Sequence, residues 1–398
     1  MNWLIGVDVG GTFTDLYAVD SATGASVIHK TPSTPDDPSR AIAAGLAALR
    51  DRHGVPVETM ARFAHGTTVA TNALIQRRGG RTALITTRGF RDLLEIGRQI
   101  RPKIYDLQAD HPPPLVPRAL RFEAAERIGA DGEILEALSD AEIQRLLAAV
   151  LESGAEVVAI GLLFSFVNPI HEQQLAAVFR ERAPQLHVSV SSEVQPEFRE
   201  YERISTTVLN GFLQPSISRY MENLKGAVQR LAPGAAIGIN QSSGGLMTVD
   251  DAARLPIRTA LSGPAAGVVG ATQAARLSGR GDLITLDMGG TSTDVCLIRD
   301  YCWALSFQRD IAGFPVRLPV VDIHAIGAGG GSIAWLGPDG LLQVGPQSAG
   351  AVPGPACYGQ GGEEPTVTDA NVVLGRLPAT LVGGDMVLDR EAAARAMQ

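Results

Sequence analysis

Apolar positions along this chain follow two rhythms. Short apolar runs at residues 4–7, 16–19, 82–86, 157–164, 188–191, 237–241, 283–286 and 295–298 predict strands. Between them, residues 41–50, 139–152 and 169–183 repeat apolar side chains at helical spacing. Ser139 or Asp140 supplies a cap for the second helix, and Glu142 is placed for a capping box. The unbroken run 157–164 implies a strand covered on both faces. Strands alternating with helices predict an α/β architecture. Residues 98–118 break both rhythms; they are rich in proline and predict an irregular loop at the mouth of a cleft. Residues 345–362 predict a second long loop, rich in glycine and proline.

Two stretches are near copies. Asp8-Val9-Gly10-Gly11-Thr12-Phe13-Thr14-Asp15 follows the first apolar run, and Asp287-Met288-Gly289-Gly290-Thr291-Ser292-Thr293-Asp294 follows the run at 283–286. They differ only at the second and sixth positions. Each predicts a hairpin with polar groups gathered at its tip. Glycines there allow positive φ and close backbone approach, so that amides can point at phosphate oxygens. The threonine hydroxyls add donors, and Asp8 and Asp287 have the chemistry to hold hydrated Mg²⁺ through its waters. One such turn has a commoner structural explanation. Two copies, roughly 280 residues apart, suggest homologous lobes clamping one polyphosphate. The division expected is one lobe over 1–192 and a second over 193–398.

Other polar clusters carry weaker signals. Residues 65–73 predict a turn feeding a helix N-terminus, which favours an anion; the reading preferred is Thr67 or Thr68 as a cap and His65 as a structural side chain. Glu193, Glu197, Glu200 and Glu202 with Arg199 and Arg203 predict a solvated helix face. Ser242-Ser243-Gly244-Gly245 predicts a further turn. Residues 262–271 are nearly all small, which permits close helix packing at a hinge or in a core. Gly329, Gly330 and Gly331 follow an apolar strand and can bring amides against a nucleotide or anion. Asp322 and His324 share a strand face, but two ligands without a third are a poor metal site. Asp369 reads as a helix cap.

Composition narrows the classes. The chain has 398 residues, 45 % hydrophobic and 19 % charged, which is ordinary for a globular protein. Its 34 basic and 42 acidic residues give a net charge of −8, which disfavours nucleic acid as a partner. Cys296, Cys302 and Cys357 match no zinc or redox spacing and fit small apolar packing in a reducing cytoplasm. No apolar run is long enough to span a bilayer.

The order of phosphate hairpin, small-residue helix and second phosphate hairpin resembles the actin, sugar-kinase and Hsp70 superfamily. The resemblance implies a two-lobed, ribonuclease H-like ATPase fold. More narrowly, residues 65–73, 86–92, 261–267, 286–294, 324–333 and 354–358 together resemble the hydantoinase/oxoprolinase family, in particular its A-type subunit. That resemblance implies ATP-dependent opening of a cyclic amide such as 5-oxoproline or a hydantoin, with ATP and Mg²⁺ as cofactors. It gives Asp8 and Asp287 the catalytic and metal roles. Phosphates would be held by Gly10, Gly11, Thr12, Thr14, Gly289, Gly290, Thr291 and Thr293, and the nucleotide by Gly329, Gly330 and Gly331. Asp15 joins this set, although Asp15 and Asp294 alternatively fix their own hairpins. A B-type partner subunit and an oligomer are expected. A subunit of an acetone- or acetophenone-type carboxylase and a non-catalytic nucleotide-driven activator are the alternatives. The superfamily's adenosine motif is expected beyond residue 398, since Gly383-Gly384-Asp385 leads into a short strand; on that expectation the chain is a truncated homologue.

Overall fold

The computed structural model describes residues 2–10, 13–34, 36–106, 108–290, 292–350, 352–381 and 386–398. The chain forms two compact units, both discontinuous in sequence: one from 1–61, 263–305 and 321–398, the other from 62–262 and 306–320. The division at 192/193 falls inside the second unit.

The first unit begins with three antiparallel strands, Trp3–Val9, Phe13–Asp20 and Ser26–Pro32. Alternation puts Ile5, Val7, Val9, Leu16 and Ala18 on the buried face. Helix Pro38–His53 starts at Asp37, whose side chain accepts from the Ser39 amide, and ends at Gly54 in the left-handed conformation. A Cβ on Gly45 of this helix would lie 2.5 Å from Leu16 Cδ1, so glycine permits the helix to sit directly on the second strand. Further along, strands Leu283–Met288, Thr293–Arg299 and Cys302–Trp303 pair antiparallel, and His324–Ile326 joins Thr293–Arg299. Cys296, Ile298, Val321 and Ile323 pack there with Ala265 and Val268 of helix Ser262–Ser278.

That helix corrects one expectation. Its buried face carries Ala265, Val268, Thr272 and Ala275, while at Gly267 and Gly270 a Cβ would meet nothing within 4 Å. Its small residues are therefore not all spent on close packing. The glycine/proline stretch 345–362 is also less irregular than expected, because Leu342–Ser348 is a strand paired with Ser332–Leu336. Thr366, rather than Asp369, is the N-cap of helix Val367–Val373; Asp369 is its third-position partner in a reciprocal capping box and also accepts from the Cys357 amide at 2.8 Å. Burial, followed by the hydrogen bond to Asp369, pushes the Cys357 thiol up to about 12. Cys296 is buried as well, but Cys302 is exposed, against the expectation that all three cysteines pack as apolar groups.

The second unit is built on a parallel sheet in the order His187–Val190, Val157–Gly161, Thr82–Thr87, Arg121–Ala124. The predicted strand at 157–164 ends early, at Gly161, but every residue of it is buried, as its unbroken apolar run requires. One face packs on helices Asp140–Glu152 and Ile170–Arg182 through Leu146, Val150, Leu175 and Phe179. The other face packs against the 32-residue helix Glu200–Leu231. Strands Met60–Thr67 and Ala236–Asn240 pair parallel with each other.

Along Glu200–Leu231 the predicted solvated charges are partly internal. Arg203 is 0 % and Glu202 1 % exposed. Arg203 hydrogen-bonds Ser165, Ser191 and the Leu162 carbonyl, and Glu172 lies 3.9 Å from it. Glu202 takes a two-pronged ion pair from Arg98 at 2.8 and 2.5 Å. Periodicity missed this because the charges are satisfied by residues distant in sequence. No helix among the described residues is long and apolar enough to cross a membrane.

Candidate phosphate and metal site

The two near-copied stretches fold alike. Asp8 lies opposite Asp15 and Val9 opposite Thr14; Asp287 lies opposite Asp294 and Met288 opposite Thr293. The Gly10 amide donates to the Phe13 carbonyl and the Gly289 amide to the Ser292 carbonyl, each at 2.9 Å. Both turns are thus closed by the same hydrogen bond at the same place. Gly11, Thr12 and Thr291, three of the expected phosphate ligands, lie outside the described residues. The described glycines of the turns and of the 329–331 cluster do not use positive φ, one of the two properties expected of them.

Each turn is braced from beneath by different means. At the first, Thr14 is fully buried and shares a 3.0 Å hydrogen bond with the Ser33 hydroxyl, which donates to the Gly10 carbonyl at 2.8 Å. At the second, the Thr293 hydroxyl donates to the Ala328 carbonyl at 2.5 Å. The glycine cluster completes that brace. The Gly330 amide donates to the Gly289 carbonyl at 2.9 Å, the Gly331 amide to the Gly290 carbonyl at 2.7 Å, and the Gly329 amide to Ser332 Oγ at 2.8 Å. A Cβ on Gly329 would fall 2.7 Å from both the Gly289 carbonyl oxygen and the Ser292 nitrogen. Close approach is therefore what these glycines provide, and the group approached is the turn itself. At its exposed tip, the Gly290 amide has no partner among the described residues.

Asp15 and Asp287 both lie within electrostatic reach of Asp8. Asp8 and Asp287 both remain open to solvent. Surrounding protein, then the negative charges of Asp15 and Asp287, push the Asp8 carboxyl above its ordinary value, while Lys30 pulls it back. Lys30 holds Asp15 in a 2.6 Å ion pair from the neighbouring strand, where the two lie opposite one another. Nothing in the first strand pair alone announces Lys30 or Ser33; the register of a third strand delivers both. Asp8 also stands 3.6 Å from where a Cβ on Gly263 would be, beside the start of the small-residue helix. Carboxylates brought together in this way have the chemistry of ligands to a hard cation. Among the described residues, no group of three metal-ligating side chains is already assembled, so carboxylates and water would share the coordination.

The remaining candidates are structural in geometry. His65 is buried and hydrogen-bonded to the Tyr220 hydroxyl at 2.6 Å. Thr67, rather than Thr68, accepts from the Val69 amide at the start of helix Val69–Ile75. Asp322 and His324 are 3.9 Å apart, with His324 largely exposed.

Against known proteins, the family model described as Hydantoinase/oxoprolinase matches residues 203–398, and that of the Hydantoinase/oxoprolinase N-terminal region matches 4–183. Caprolactamase subunit alpha of Pseudomonas jessenii is 40 % identical over 99 % of this chain and 58 % of its own. The acetophenone carboxylase gamma subunit of Aromatoleum aromaticum is 36 % identical over 99 % of this chain and 56 % of its own. The 5-oxoprolinase of Saccharomyces cerevisiae is 34 % identical over 94 % of this chain and 32 % of its own. The chain thus spans less than two thirds of the length of these relatives. The crystal structure of the ATP-dependent caprolactamase superposes with a TM-score of 0.86, covering 99 % of this chain and 58 % of that one. Nucleotide-free acetone carboxylase superposes with 0.79 at 28 % identity, covering 100 % and 58 %. The fold is that of the actin-like ATPases.

Proposed function

From the premise that this chain belongs to the hydantoinase/oxoprolinase family, as an A-type subunit, we propose that it handles ATP in an enzyme that opens a cyclic amide. The observation that carries this reading is the paired turn geometry: two tips closed by the same hydrogen bond, with Asp8 and Asp287 within electrostatic reach of each other. The relatives named for caprolactam and 5-oxoproline chemistry support a lactam as the substrate class.

Amides are poor electrophiles; a phosphoryl group from ATP on the amide oxygen would let water add to the carbonyl carbon. The ring C–N bond would then break with the nitrogen leaving as the amine, and hydrolysis of the resulting acyl phosphate would release phosphate. The chain's own groups position and neutralise charge, which is most of what phosphoryl transfer asks of a protein. Asp8 and Asp287 would hold hydrated Mg²⁺ through its waters, with Asp15 kept in place by Lys30. The donor set fits that ion, since it consists of carboxylate oxygens whose mutual repulsion a cation relieves. Gly10, Gly11, Thr12, Gly289, Gly290 and Thr291 would hold phosphate oxygens at the two tips. Thr14, Thr293 and the 329–331 cluster would act on the phosphates indirectly, by fixing the turns. A B-type subunit would be its partner in that enzyme.

Phosphate release by the complete protein together with its B-type partner, measured across 5-oxoproline, hydantoin and simple lactams, tests the proposal. Stimulation by at least one cyclic amide is expected; stimulation by none overturns it. The likeness to the acetophenone carboxylase gamma subunit and to acetone carboxylase favours a second reading, ATP-dependent ketone carboxylation. That reading requires turnover dependent on both a ketone and bicarbonate in the same assay.

A further inference from the structure

A cavity of about 640 Å³ lies within the second unit, remote in sequence from both phosphate turns. Its walls come from three places: the stretch 94–100 and 110–115, the N-terminal half of helix Glu200–Leu231, and the hairpin of strands Arg309–Ile311 and Phe314–Val316. Its size falls within the range of small-molecule sites, roughly 300–1,000 Å³. The aperiodic, proline-rich segment that the sequence places at the mouth of a cleft thus lines a cavity.

The lining defines the chemistry it will accept. Leu115, Val208, Phe314 and Pro315 give apolar walls. Most of the charged and polar groups among them are already engaged; among the described residues, Asp110 and Gln99 at the rim are exceptions. Arg98 is paired with Glu202, Glu95 with Arg121 at 2.7 Å, and Asp310 accepts the Gly313 amide at 2.7 Å. Ser205 donates to the Pro315 carbonyl at 2.8 Å. An anion would therefore lose its hydration without gaining a free cation, since Arg98 is already paired, and the apolar walls favour a ligand without charge. Beside the apolar walls the Tyr201 hydroxyl is available, for it makes no hydrogen bond among the described residues. Gly97, at φ +53°, brings its backbone against that ring: a Cβ there would stand 3.2 Å from Tyr201 Cζ and from its hydroxyl oxygen. Burial first, then the charges of Glu202 and Asp310, raise the Tyr201 pKa and keep the phenol protonated as a donor.

We propose that this cavity binds a small neutral ring bearing a carbonyl group, whose oxygen accepts a hydrogen bond from the Tyr201 hydroxyl while the ring lies against Val208 and Phe314. The choice of a cyclic amide among such rings rests on the function proposed above. In that case the cavity is where the amide is recognised, and Tyr201 is a specificity residue rather than a participant in phosphoryl transfer.

Ligand-observed NMR and calorimetry on the 398-residue chain test this with 2-piperidone as the probe and tetrahydropyran, a ring of the same size without the carbonyl, as the control. The wild-type chain is expected to bind 2-piperidone and discriminate against tetrahydropyran. Tyr201→Phe, which keeps the ring and removes only the hydroxyl, should weaken 2-piperidone binding about five- to tenfold, as the loss of one hydrogen bond to a desolvated carbonyl does. Leu115→Trp, which fills the cavity, should abolish binding, with circular dichroism confirming that it folds. Binding unchanged in both variants, or no binding of 2-piperidone to the wild type, overturns the proposal. Steady-state turnover with the partner separates this site from the function. If lactams stimulate phosphate release and Tyr201→Phe leaves their KM unchanged, the cavity assignment falls while the function stands. If lactams bind in a Tyr201-dependent way but never stimulate release, the function falls and the cavity stands.

Discussion

Single side chains at the turns make opposed demands on stability and chemistry, and Asp8 shows both. Its carboxyl is raised above the ordinary value of 3.8, so the stability it contributes is fully present below that value and is lost as pH rises through the raised one. At neutral pH its negative charge therefore opposes folding. Asp8→Asn is expected to raise the melting temperature at pH 7, to leave it nearly unchanged at pH 3, and to lower ATP turnover on the order of 10²-fold. A lower melting temperature at pH 7 would falsify the electrostatic account. Asp287→Asn should lower turnover on the same scale, because on the proposed reading the two carboxylates share one cation. The glycines make a sharper contrast. Gly329→Ala drives a methyl into the backbone of the second turn, whereas at Gly327 nothing stands within 4 Å of a new Cβ. Turnover should fall at least tenfold in the first variant and stay within twofold in the second, and equal effects would show that the close approach is unimportant.

At the scale of elements, helix Glu200–Leu231 carries the largest departure from simple patterning. Its first turns bury Glu202 and Arg203, and the chain supplies partners from Arg98, Ser165, Ser191 and Glu172. Arg203→Ala leaves Glu172 without its buried cation and three acceptors without their donor. The expected cost is about 3–5 kcal/mol, read as a shift in the urea midpoint, because the charge left behind has no water to replace its partner. Burial lowers the Arg203 pKa, against the pull of Glu172 and Glu200, so the site relies on these contacts rather than on solvent. A loss below 1 kcal/mol would mean that water reaches the site freely. By contrast, helix Val367–Val373 behaves as its sequence announces, since the capping box is a local device and Thr366 and Asp369 lie three positions apart.

For the whole molecule, the two turns together should make the chain sensitive to polyphosphate with a divalent ion. Mg²⁺ with tripolyphosphate is expected to raise the melting temperature, adenosine alone to leave it unchanged, and EDTA to reverse the gain. At a hundredfold excess over the dissociation constant, the stabilisation amounts to about 2.7 kcal/mol. A shift with adenosine but none with tripolyphosphate would contradict the role given to the turns. Much of this was legible in the sequence. Duplicated Gly-Gly-Thr stretches between apolar runs specify their own hairpins, because closure and alternation depend on neighbours a few residues away, and the α/β alternation follows from the same local periodicities. Lys30 opposite Asp15, Ser33 beneath Gly10, the 329–331 backbone against the second turn, and the Tyr201 cavity are different in kind. Each depends on segments far apart in the chain meeting at a given register, and no local pattern encodes that meeting. Sequence alone therefore determined the elements and the chemistry at their tips; tertiary structure decided which groups brace those tips, which charges are buried, and where a neutral ring can sit.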